Sequence, residues 1–143
     1  MAIRTVGTGY TYSTIMAAMN VAVDGDTIVC RAGQTFPETV TCPDKGVMTL
    51  GITVTSDASA FNLPVAGQRT GPAYAAFMPK IQSPGSGAPA VQFAVGANHY
   101  TFQHIEFPEV PTGLNTIINA SNYGLPSATQ GMRSLSVNIR LRF

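Results

Sequence analysis

Residues 17–43 read AAMNVAVDGDTIVCRAGQTFPETVTCP, from Ala17 to Pro43. Within this stretch the residues specify the end of a short helix, a tight turn, a strand, a second turn and a second strand. Asp24-Gly25-Asp26 and Ala32-Gly33-Gln34 supply the turn chemistry, since Gly and Asp tolerate the backbone angles that a chain reversal needs. Thr27–Arg31 and Glu38–Cys42 are short runs rich in β-branched residues. Strands this short and closely spaced cannot each bury a face alone. They must stack on further strands, and the spacing predicts a coiled, parallel β-architecture.

Working upstream, Ile15, Ala18, Met19 and Ala22 recur at i, i+3, i+4 and i+7, one apolar stripe of a helix over Ser13–Val23. Thr11 or Ser13 is the expected cap. Downstream, Val47–Ser56 places Met48, Leu50, Ile52 and Val54 in strict alternation with Thr49, Gly51, Thr53 and Thr55, the period of a strand. Residues 57–79 hold three prolines and no clean period, and read as a long excursion loop. Short strands are expected at Lys80–Ser83 and Ala90–Val95, then a longer one at His99–Phe107. In the last, the inward parity set by Tyr100 and Phe102 shifts before Ile105 and Phe107, which predicts a bend or bulge near His104. Pro111–Gln130 reads as loop with a short strand at Thr116–Asn119. The chain closes on Ser134–Phe143, where Leu135, Val137, Ile139, Leu141 and Phe143 alternate with polar residues. That pattern is a half-buried strand suited to pairing inside the domain or to addition onto a neighbouring subunit.

Composition bounds the class. The 143 residues make about one domain. Apolar residues are 45% and charged residues 10%, so the surface must be built from Thr, Ser, Asn, Gln and Gly, a habit of β-rich extracellular or virion proteins. A net charge of +1 gives no reason to expect a nucleic acid. No run is long enough to span a membrane, and the opening MAIRTVGTGY has no apolar core of a signal peptide. Cys30 shares strand parity with Ile28, and Cys42 with Val40. Both are expected as buried free thiols in the core rather than a disulfide.

The order TYSTIMAAMNVAVDGDTIVCRAGQTFPETVTCPDKG, ITVTSD, MPKIQSP and GANHYTFQHIEF resembles the N-terminal end of right-handed parallel β-helix proteins of the pectin lyase-like superfamily, over Ile3–Phe107. The resemblance implies an all-β fold: a short right-handed parallel β-helix of about four to five coils, with an N-terminal capping helix and a C-terminal amphipathic strand. Residues 1–110 would form the capped coils, with the excursion at 57–79, and residues 111–143 a loop plus an assembly strand. Lyase chemistry in that superfamily lies on later coils, and this chain ends soon after His104.

No catalytic constellation stands out. Asp24, Asp26 and Asp44 sit in turns. Glu38 and Glu106 are expected on outward strand positions, where they could meet across neighbouring strands. His99 and His104 lack further ligands at metal spacing. The five tyrosines could form a sugar-stacking strip. No cofactor is expected, and catalysis is left open with the balance against it. The leading expectation is a non-enzymatic structural or attachment protein of a virion or extracellular surface, a homo-oligomer or partner of a neighbouring structural subunit. Its assembly residues would be Leu135, Val137, Ile139, Leu141 and Phe143. The alternative is a carbohydrate-active protein, lyase-like or sugar-binding, that acts on a polysaccharide through Glu38, Glu106 or His104.

Overall fold

A computed structural model describes residues 1–65, 67–108, 118–119 and 136–141. Strand β1 (Ile3–Val6) leads into helix α1 (Ile15–Val21). Then come β2 (Thr27–Cys30), β3 (Thr35–Pro37), β4 (Val40–Cys42) and β5 (Ile52–Ser56). Two 3₁₀ helices, Ala60–Asn62 and Pro72–Phe77, fall inside the excursion. Strands β6 (Lys80–Gln82), β7 (Val91–Phe93), β8 (Tyr100–Phe107), β9 (Ile118–Asn119) and β10 (Ser136–Leu141) complete the order.

Every ladder between these strands is parallel. The main sheet runs β1-β2-β5-β8-β6-β3, with β10 added on β8, and a second sheet runs β4-β7-β9. The expected all-β class, a short parallel β-helix of four to five coils, is therefore corrected to an α/β-type fold on a mostly parallel sheet. The physical reason lies in β8. This eight-residue strand takes β5 along Tyr100–Phe102 and β6 at Glu106. Two runs that a solenoid would hold as separate faces thus become one hydrogen-bonded sheet.

Register aligns the apolar positions. Ile28 lies beside Val54, and Val54 beside Phe102; Phe36 lies beside Ile81, Val40 beside Val91, and Cys42 beside Phe93. All of these are buried in a single core that includes Ile15, Ala18 and Met19 of α1. Each fully buried aliphatic side chain contributes roughly 1.5–3 kcal/mol. The outward positions between them carry Thr27, Thr53 and Thr101 in one row. Cys30 and Cys42 are both free and buried.

Helix α1 is shorter than the stripe over Ser13–Val23 suggested. Its cap is Thr14, whose Oγ1 accepts from the Ala17 N–H at 3.2 Å, and not Thr11 or Ser13. The Glu38 carboxylate accepts the N–H groups of Ile15 and Met16 at 2.8 and 3.0 Å. Both donors would otherwise be orphans of the first turn, and the negative charge suits the helix N-terminus.

The strand expected over Val47–Ser56 begins only at Ile52. Asp24 accepts the N–H groups of Thr49, Leu50 and Gly51, so this segment is held as a loop and Leu50 points to solvent. Gly51 has φ 83°, and a Cβ there would collide with the His99 carbonyl. Among the described residues no helix is long and apolar enough to cross a membrane.

Candidate functional site

The site is set by a fault in β8. Opposite β10, Phe102 pairs with Val137 and Ile105 with Ile139. Between those pairs β10 has one residue, Asn138, and β8 has two, Gln103 and His104. This is a β-bulge, and His104 takes φ 57°, the left-handed region that a non-glycine residue rarely occupies. The bulge lets Tyr100 and Phe102 before it, and Ile105 and Phe107 after it, all stay buried. It also leaves Gln103 and His104, consecutive residues, on one outer surface. His104 Nδ1 lies 3.4 Å from Thr55 Oγ1 on β5.

The excursion crosses this surface and is tied down at both ends. At its start, the Asp57 N–H donates to the Cys30 carbonyl at 2.9 Å. Asp57 Oδ1 accepts from the Ala32 N–H at 2.6 Å, and Tyr10 donates its hydroxyl to the same carboxylate. That bond, above all, raises the Tyr10 pKa. At its end, Ser56 Oγ donates to the Phe77 carbonyl at 2.6 Å. Lys80 Nζ donates to the carbonyls of Ala75 and Met78 at 2.9 and 3.4 Å. Under the span between these anchors lies a cavity of about 830 Å³. Thr55, Gln103, His104 and Ile105 line it from the sheet. Leu63, Pro64 and Val65 line it from the span, with Gln68, Arg69 and Thr70 following in the chain.

Among the described residues no carboxylate lines this groove, and the described carboxylates are committed elsewhere. Asp24 holds the 49–51 loop, and those hydrogen bonds, Thr49 first, lower its pKa. Asp26 binds Arg4, and Asp44 Oδ1 accepts from the Gly46 N–H at 2.8 Å. Glu38 caps α1, and Asp57 anchors the excursion. Glu106 alternates with the core residues Ile105 and Phe107 and so lies on the outer face of β8, but that face is covered there. Glu106 is buried at 1% exposure, with Lys80 Nζ 3.6 Å from its Oε2. The excursion packed above Lys80, which donates to its Ala75 and Met78 carbonyls, accounts for that burial. Glu38 and Glu106 therefore occupy different settings, one at a helix N-terminus and one beside a core lysine.

The tyrosines have separate partners and form no strip among the described residues. Tyr12 accepts from Arg4, Tyr74 donates to Gln68, and Tyr100 is buried with its hydroxyl on the Pro43 carbonyl. His99 Nδ1 lies 2.7 Å from Asn98 Oδ1 in the turn before β8. Of the assembly residues, Val137, Ile139 and Leu141 fall within β10, which pairs with β8 of the same chain. Leu135, Phe143, Tyr123 and Glu109 lie outside the described residues.

Sequence reasoning located the bulge but missed the groove residues Leu63 to Val65 and Gly67 to Thr70. Arg69, the one basic residue of an excursion whose only other charge is Asp57 at its start, was the available signal. Comparison with protein-family models, with curated proteins and with solved structures finds no match.

Proposed function

We propose that this chain is a non-enzymatic structural or attachment protein of a virion or cell surface, assembling through its C-terminal strand. The observation that carries the reading is the place of β10. It covers the edge of β8, and among the described strands nothing pairs with its other edge. An open strand edge presents a row of backbone donors and acceptors to another chain. The commitment of Asp24, Asp26, Glu38, Asp44 and Asp57 to backbone or arginine partners supports binding over acid–base chemistry. The sparse charge suits a surface that meets a partner subunit.

Light scattering tests this directly. The full-length chain is expected above the monomer mass of 15.0 kDa, and a chain lacking residues 134–143 at that mass. A full-length chain that runs as a monomer overturns the proposal, as does a deletion variant, folded by circular dichroism, that keeps the oligomer mass.

A further inference from the structure

We propose that the groove beneath the excursion is a binding site for a small amphipathic anion, with Arg69 taking the oxyanion and the Leu63–Val65 wall its apolar body. This goes beyond the assembly reading and does not depend on it. Three observations converge on the same cavity.

The first is size and lining. About 830 Å³ falls within the range of ligand pockets, and the walls divide into an apolar side and a hydrogen-bonding side.

The second is charge. Arg69 lines the groove and is exposed, and among the described residues it makes no ion pair. The other cationic side chains within residues 1–108 are engaged. Arg4 is on Asp26, and Arg31 donates to the Thr8 carbonyl and stacks over Tyr10. Lys45 donates to the Asn20 carbonyl, and Lys80 to the excursion. Among the described residues no acidic side chain lines the cavity to oppose an anion. A guanidinium fork matches the two oxygens of a carboxylate, sulfate or phosphate.

The third is the bulge. It places Gln103 and His104 side by side on the groove floor, where both can add hydrogen bonds to the bound group. Bulges recur beside binding sites because they re-aim side chains in this way.

The test is titration of the full chain with hexanoate, hexyl sulfate and hexanol, followed by ¹H–¹⁵N NMR and calorimetry. Either anion should bind saturably, shift the amides of Arg69, Gln103 and His104, and weaken as salt screens the charge. Hexanol, with the same body and no charge, should bind at least about tenfold more weakly. Arg69→Gln should raise Kd about tenfold without moving the thermal midpoint, because the side chain is exposed. Arg69→Lys should recover part of the affinity. Val65→Ser should weaken both anions about threefold by removing apolar contact. Absence of saturable binding by both anions, hexanol binding as tightly as they do, or unchanged affinity in Arg69→Gln each overturns the proposal.

Discussion

Asp26 keeps an ionised carboxylate in a buried position, and its partners explain how. Burial alone would raise its pKa. The N–H groups of Ala2 and Val23 and the Arg4 guanidinium outweigh that effect and hold it at about 2. These bonds tie β1 to the α1–β2 turn. Because the folded value lies below the ordinary value near 3.9, ionised Asp26 contributes its full stability above about pH 4. That contribution is lost as pH falls through about 2. Asp26→Asn should therefore cost about 3 kcal/mol in urea unfolding at pH 7, since it leaves Arg4 short of a partner. The gap between variant and parent should shrink steadily between about pH 4 and pH 2. A gap independent of pH would remove the carboxylate from this role. The sequence made Asp26 legible as a turn residue and no more. Its partners Ala2 and Arg4 lie more than twenty positions away, and no local pattern encodes that distance.

At the scale of elements, β8 shows a strand whose irregularity is required by its contents. Tyr100 and Phe102 fix one parity and Ile105 and Phe107 the other, so one extra residue must sit between them. Deleting His104 would restore a strict period of two and keep Tyr100, Phe102, Ile105 and Phe107 on one face, while pulling Glu106 out of register with Lys80. The expected outcome is a protein that still unfolds cooperatively, at a thermal midpoint below the parent's. His104→Gly, by contrast, keeps the residue count and relieves the left-handed backbone, so its stability should stay within about 1 kcal/mol of the parent. Calorimetry of the two variants distinguishes them. A His104 deletion without a cooperative transition would show that the core depends on the bulge itself and not only on the parity of the residues beside it. This bulge was readable because the apolar residues on both sides of it are large and buried. The end of β5 was not. Alternation over Val47–Ser56 looks like strand in isolation, but the Asp24 carboxylate and the Gly51 backbone decide the 49–51 segment from outside the window. Glu38 was misplaced for the same reason, since a helix 22 residues upstream claims it.

For the whole molecule, parallel pairing and a shared core were visible in the spacing of short strands, while the sheet connectivity was not. Whether β5 and β6 meet through one strand depends on the length and bulge of β8, and a repeat rhythm in the sequence does not carry that information. The two cysteines offer a way to ask whether the resulting core opens as a unit. Cys30 lies in the main sheet, in register with Val6 and Ser56, and Cys42 lies in the second sheet beside Phe93. Both have no exposed surface, and burial pushes both thiols well above their ordinary pKa. The thiolate is the reacting species, so the native thiols should resist a thiol-reactive aromatic disulfide at neutral pH and react fully in denaturant. In mild urea each can react only after its sheet opens. Because α1 packs on strands of both sheets and one core joins them, the two thiols should label together, at a rate that tracks global unfolding. Mass spectrometry of the partly labelled chain reads this directly: doubly labelled and unlabelled species should dominate. Prompt labelling in native buffer would overturn the buried placement of the thiols. Accumulation of chains labelled at Cys42 alone would show that the second sheet opens independently of the first.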